Sequence, residues 1–195
     1  RGDAPGVAPL TIGTALREFG AGDLLNEADL GNRASSQLGP LQPISTTYAS
    51  GSTAWGIKFP KIVRGNLLAR GYIGQFVIPT ATTITTGFTV YINTTDDGAF
   101  ASDLGTTTVF KVQFRNAAAA TPINTYGTAT SATITMAAIS GTWVQTALAV
   151  ANANVLNGVA AGSIIQMKIY RDGANAADLV NGAIMVAPCI HVENT

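Results

Sequence analysis

From about residue 48 onward apolar side chains recur at every second position, a period that fits half-buried strands and not helices. Phe88, Val90 and Ile92 alternate with Thr89, Tyr91 and Asn93, and Phe110, Val112 and Phe114 alternate with Lys111, Gln113 and Arg115. Val144, Thr146, Leu148 and Val150 share one face of a later segment, and Ile165, Met167 and Ile169 oppose Gln166 and Lys168 in another. β-Branched and aromatic residues suit such a pleated surface because they pack against cross-strand neighbours.

The pattern predicts eight strands, at about 52–59, 68–78, 83–93, 106–115, 129–138, 142–151, 162–171 and 182–192. Turn residues separate them, among them Thr95-Asp96-Asp97-Gly98, Ser140-Gly141, Asn157-Gly158, Asp172-Gly173 and Asn181-Gly182. Strands without intervening long helices bury one face each only as two packed sheets or a closed barrel. The expected architecture is an all-β, single eight-stranded jelly-roll sandwich over 48–195, preceded by an extended N-terminal arm over 1–47. No internal repeat speaks for a propeller or solenoid. The arm is rich in Gly and Pro, with only short apolar pieces. Two brief helical turns are expected in it, one over Ala15–Phe19 capped by Thr14 and one over Leu24–Ala28 capped by Asp23.

Charge narrows the partners. Lys+Arg and Asp+Glu balance at 11 each, so no net field steers the chain toward nucleic acid or an anionic membrane. No run approaches the roughly 18 apolar residues of a membrane span. No signal-peptide pattern opens the chain, and its start at Arg1 rather than Met is what processing or a missing terminus leaves. Charged residues make up only 11% of the chain, against about 25% in ordinary domains. From Asn116 to Met167 there is none, although Thr, Asn, Gln and Ser recur. A polar but uncharged surface gives little repulsion between copies, so it reads as surface to be covered.

Chemistry-bearing residues are few. Cys189 and His191, the single cysteine and histidine, sit two apart on a predicted strand and project from one face, with Ile190 and Val192 on the other. A Cys/His nucleophile also needs an orienting acid or amide and an oxyanion hole, and no such motif surrounds this pair. One cysteine makes no internal disulfide and no Cys-rich zinc site. Pro188 marks an edge or bulge position. Asp96, Asp97 and Asp103 lie in one loop that offers hard oxygen ligands for Ca²⁺, but the spacing is not that of an EF-hand and Asp-Gly is an ordinary hairpin turn. Arg171, Asp172 and Asp178 are expected to form an ion pair that fixes the last connection. Trp55, Trp143, Tyr72, Tyr91 and Tyr170 would supply a sugar-stacking platform, although aromatics at strand positions are commonly core or interface. The terminal Arg1-Gly2-Asp3 has an integrin-binding form but no constrained loop to present it. The expectation is a protein that is not an enzyme and carries no cofactor or metal.

Two segments carry a resemblance. Residues 17–32, REFGAGDLLNEADLGN, resemble a short motif near the start of bacteriophage virion proteins, and residues 141–193 resemble the end of phage structural β-sandwich domains, with a Trp-led strand, an Ala/Asn-rich connection and a final strand pair. Where those proteins often carry Asp-Thr, this chain has Asp178-Leu179. The resemblance is to phage head-decoration (cement) and tail-fibre proteins. It implies a homotrimer on the capsid surface of the virion, held through its arm to the major capsid protein or another virion protein, and stabilising the assembled head. Phe19, Leu24, Leu25, Leu30 and Leu41 would then be capsid-binding anchors, and Trp143 and Tyr170 subunit-interface residues. The alternative is a glycan- or receptor-binding tip module of a tail fibre, using its aromatics or the Asp96–Asp103 loop.

Overall fold

The computed structural model describes residues 15–20, 25–26, 44–59, 61, 71–80, 86–117, 125–187 and 189–194. Three short strands come first: β1 (Ala15–Gly20), β2 (Leu25–Asn26) and β3 (Ile44–Thr47). The body follows as β4 (Thr53–Phe59), β5 (Gly71–Val77), β6 (Gly87–Asp96), β7 (Thr107–Asn116), β8 (Thr130–Thr135), β9 (Val144–Ala151) and β10 (Ile164–Arg171), and ends with β11 (Ile184–Val186) and β12 (Cys189–Asn194). Both β11 and β12 pair with β6, Ile184 opposite Asp96 and His191 opposite Tyr91, so they are two halves of one last strand.

Counting that split strand once, the body has eight strands, and their order defines the fold. In one sheet the first, last, third and sixth lie side by side (β4, β11/β12, β6, β9), and in the other the second, seventh, fourth and fifth (β5, β10, β7, β8). All these pairings are antiparallel. Alternation of consecutive strands between two sheets in this order is a jelly roll. The predicted architecture and strand positions hold, with β6 running past its expected end at 93 to Asp96.

The core lies between the sheets, where the apolar parity of each strand points. Phe59, Phe88, Phe110, Phe114, Ile92, Leu148, Ile165, Met167 and Ile169 are fully buried. Aromatic contacts tie sheet to sheet: Phe59 of β4 meets Phe110 of β7 edge-on at 5.1 Å, and Phe88 of β6 meets Phe76 of β5 at 5.8 Å and Phe114 of β7 at 5.0 Å. Each such pair adds about 0.5–1.5 kcal/mol beyond area burial.

Several expectations need correction. Neither helical turn forms: Ala15–Gly20 is a strand antiparallel to β12, and Leu25–Asn26 pairs with Ile73 and Tyr72 of β5. A helix of five residues cannot offset its nucleation cost, whereas a waiting strand edge satisfies the same backbone groups at once. The strand after Pro188 is not an edge, since β12 lies between β6 and β1. Pro188 itself, Leu24, Leu30, Leu41 and the Arg1-Gly2-Asp3 tripeptide lie outside the described residues; Phe19 and Leu25 are described as backbone positions of β1 and β2.

Candidate assembly surface

A sandwich of this kind has two lateral sides, each formed by one edge of each sheet. On one side the edges are β1 and β3, strands of six and four residues beside β12 and β4, and β2, of two residues, beside β5; β1 carries Arg17 and Glu18. Very short edge strands are a standard protection against unwanted pairing. The other side is different. There β8 (TSATIT) ends the five-stranded sheet and β9 (VQTALAVA) flanks β6, and the two pack beside each other.

Neither strand has a charged residue, a proline or a glycine, the devices that ordinarily block an edge. Their outward residues, Ser131, Thr133 and Thr135 on β8 and Gln145, Ala147, Ala149 and Ala151 on β9, are exposed. These strands are the centre of the uncharged tract from Asn116 to Met167. Burying such a flank would desolvate no ion, so its cost is limited to hydroxyl and amide groups that a partner edge can satisfy.

The β8–β9 loop extends the flank and presents two large apolar side chains, Ile139 at 73% exposure and Trp143 at 39%. Asp96 holds this loop: its carboxylate accepts from the Ser140 hydroxyl at 2.6 Å and the Gly141 amide at 2.9 Å, and also from the Gly98 amide at 3.0 Å. The ring of Tyr48 lies so close to Gly141 that a side chain there would meet it at 3.0 Å, and Gly141 takes a left-handed φ of 78°. The Tyr48 hydroxyl donates to the Asp96 carbonyl at 2.7 Å. Ile139 and Trp143 therefore sit on a fixed loop, and neighbouring loops at this end expose Phe100 and Leu179.

The other carboxylates of this end are also structural acceptors. Asp103 takes the Asn181 and Gly182 amides at 2.8 and 2.7 Å, and Asp97 takes the Ala99 amide and a salt bridge from Lys58 at 3.1 Å. Among the described residues no three His, Cys, Asp or Glu groups converge as metal ligands would. Arg171 and Asp178 form the expected ion pair, fully buried; Asp172 instead binds Lys111 at 2.6 Å, because it follows directly on the end of β10 and points to the opposite face from Arg171.

Loss of the Tyr48 hydroxyl in Tyr48→Phe is expected to destabilise the fold by about 0.5–1.5 kcal/mol, read from urea unfolding. Alkali tests the same region. Burial, with help from Asp96 and Asp97, raises the Tyr48 phenol above its usual 10.0, and the hydrogen bond to Asp172 raises Lys111 above 10.5. A group that holds its proton more tightly when folded gives stability that is complete below its unfolded pKa and lost as pH climbs through the folded one. Stability should thus decline above about pH 10, and Tyr48→Phe should flatten the decline.

His191 faces outward from β12, as the burial of Ile190 and Val192 requires. Its Nε2 meets Glu193 Oε1 at 2.9 Å, and its ring lies 5.9 Å from that of Tyr91 on β6. The same alternation sets Glu193 on this face, and the short contact goes to its carboxylate; Cys189 is described as a backbone position of β12.

The two interface candidates lie on different surfaces. Trp143 leads into the edge strand β9, whereas Tyr170 is half-buried on the outer face of β10, a central strand of the five-stranded sheet. Lys168 Nζ stands 5.3 Å over the Tyr170 ring and 5.6 Å over that of Tyr126, and Arg115 covers Tyr126 at 5.5 Å. Arg115 donates to Gln166 at 2.6 Å. Tyr126 and Ile139 escaped the sequence reading because neither belongs to a period-two segment.

No family model and no curated protein matches this chain. Among solved structures it is similar to the CBM22-1 xylan-binding domain from Paenibacillus barcinonensis Xyn10C, at 9% identity and a TM-score of 0.42, covering 93% of this chain and 95% of that one. It is also similar to a chain in the structure of infectious bursal disease virus Gx strain, at 9% identity and a TM-score of 0.35, covering 97% of this chain and 36% of that one. Likeness at this level adds nothing to what the strand order establishes.

Proposed function

We propose that this chain is a virion structural protein, a homotrimeric capsid decoration protein that binds the assembled head and stabilises it. The observation that carries the reading is the long, uncharged double edge of β8 and β9, continuous with Ile139 and Trp143. A soluble monomer would be expected to block such an edge; a protein made to meet its own copies leaves it open. The resemblance of 17–32 and 141–193 to phage virion proteins supplies the setting.

In a cyclic trimer the interface is heterologous: two different patches meet at each of its repeats. Trp143 at the edge and Tyr170 on the outer sheet face, which lie on different surfaces, are the two halves of that contact in this proposal. The arm then reaches the shell, with Phe19, Leu24, Leu25, Leu30 and Leu41 as its apolar anchors. Stabilisation follows from mass action, because a protein that binds the closed shell and not its separated subunits shifts the balance toward the shell. Catalysis has no place in this reading.

Light scattering on the eluting protein is expected to give the mass of three chains, and images of intact particles are expected to place it on the head. A monomer at micromolar concentration, with the arm intact, would overturn the proposal. A second reading has one observation in its favour: the Tyr126, Tyr170, Lys168, Arg115 and Gln166 cluster would suit a glycan. Location at a fibre tip, with binding to host polysaccharide lost in Tyr170→Ala, would favour that alternative.

A further inference from the structure

The chain holds two Asn-Gly pairs, Asn157-Gly158 and Asn181-Gly182, and the fold treats them oppositely. We infer that Asn157 is a site of spontaneous deamidation that installs a carboxylate in the uncharged tract, while Asn181 is protected by Asp103. The reaction needs no cofactor. The Gly158 amide nitrogen gives up its proton and attacks Asn157 Cγ, the side-chain nitrogen leaves as ammonia, and a five-membered imide closes. Water then opens the ring at either carbonyl, leaving aspartate or isoaspartate. Glycine favours the closure because it has no Cβ to hinder the attacking nitrogen.

Asn157 and Gly158 both adopt left-handed backbone, at φ 65° and 68°, in the exposed loop between β9 and β10. A side chain added at Gly158 would meet nothing within 4 Å, and Asn157 and Gly158 are both exposed, so the ring has room to form. Two hydrogen bonds there go to neutral carbonyls: Gly158 N–H to Val155 at 3.1 Å and the Asn157 amide to Asn116 at 3.5 Å.

At the second pair the attacking atom is buried and bound to an anion. Gly182 N–H donates to Asp103 Oδ2 at 2.7 Å, and Asn181 N–H donates to Oδ1 of the same carboxylate at 2.8 Å. Removing the Gly182 proton would set an amide anion beside a carboxylate that is itself buried, a repulsion that water does not screen. The surroundings allow no rearrangement either, since a Cβ on Gly182 would stand 2.9 Å from both Asp97 Oδ1 and Asp103 Oδ2.

The chemical step is independent of the proposed function; only its consequence rests on that reading. If uncharged flanks are what copies bury, ageing at Asn157 puts a negative charge on the segment between Arg115 and Lys168 and disfavours re-association of old chains.

Trypsin separates the two sites, because 116–168 carries Asn157 and 172–195 carries Asn181. The full chain is aged in mildly alkaline buffer made with heavy-oxygen water, then digested and its fragments weighed and sequenced by mass spectrometry. Heavy-oxygen incorporation at Asn157 is expected to run at least about tenfold faster than at Asn181, the ratio that about 1.4 kcal/mol of local opening imposes. In urea the two sites should convert at similar rates, and Asn157→Gln should abolish the change in 116–168. An unchanged Asn157, or equal rates in the folded chain, would overturn the inference. Should Asn157 convert while the aged chain assembles as before, the modification stands and the assembly reading is what fails.

Discussion

Asp178→Ala is expected to lower the unfolding free energy by about 3–5 kcal/mol, because it leaves a buried guanidinium without its counter-ion. The side chains of Arg171 and Asp178 are 1% and 0% exposed. Arg171 Nη2 and Nε reach the two Asp178 oxygens at 2.6 and 2.9 Å, a bidentate fork, and the guanidinium also donates to the carbonyls of Val180 and Gly182 at 2.6 Å each. Asp178 in turn accepts from the Thr108 hydroxyl at 2.9 Å and the Val109 amide at 3.2 Å. Every donor in that set loses an acceptor in the alanine variant. Urea unfolding at fixed protomer concentration checks it, and a loss under about 1 kcal/mol would mean that the pair behaves as a solvated surface bridge. Arg171→Met combined with Asp178→Leu should recover most of the loss, since the cost of the single change lies in the stranded charge.

That pair also shows what could be read before the fold was known. Arg171 and Asp178 flank a turn at the end of an alternating strand, so their meeting was legible from spacing. Their burial was not, because it depends on β7 delivering Thr108 and Val109 from far away in the chain. The eight body strands were legible for a similar reason: in Phe88 to Ile92 or Phe110 to Phe114 each residue reports its own face. What alternation does not encode is which edge a short segment joins. Ala15–Gly20 has too few apolar residues to declare a period, and only the open side of β12 makes it a strand. Pairing of Asp172 with Lys111 was missed because two neighbouring residues, Arg171 and Asp172, face opposite ways at a strand end.

The proposed surface was legible in a different way. Composition marked Asn116 to Met167 as uncharged, but a charge-free tract has no location until topology supplies one. The strand order puts β8 and β9 on the same lateral side, and Asp96, Tyr48 and Ser140 fix the loop between them. Buried Asp96 thus serves the surface indirectly: by tying the β8–β9 loop to the end of β6 it holds Ile139 and Trp143 in place, so little side-chain and loop entropy is lost when a partner covers them.

Charging this edge should therefore separate the copies without unfolding them. Thr133→Lys and Ala147→Lys place ammonium groups on outward, exposed positions of β8 and β9, where the folded monomer has room for them. Lysine on an edge is the device natural sheets use against pairing. Trp143→Glu removes a large apolar contact and adds a charge, and loss of a central tryptophan typically costs an interface about 2 kcal/mol or more, roughly thirtyfold in affinity. If the parent forms the proposed trimer, the triple variant is expected to run as a monomer at the same concentrations, with an unchanged strand-type circular dichroism spectrum. Tyr170→Glu provides the complementary test. If the two patches meet head to tail, Tyr170→Glu alone should also dissociate the trimer, and mixing it with the edge variant should restore one intact junction and hence dimers. A trimer that survives the edge changes would place its contacts elsewhere and remove the reason for reading β8 and β9 as an assembly surface.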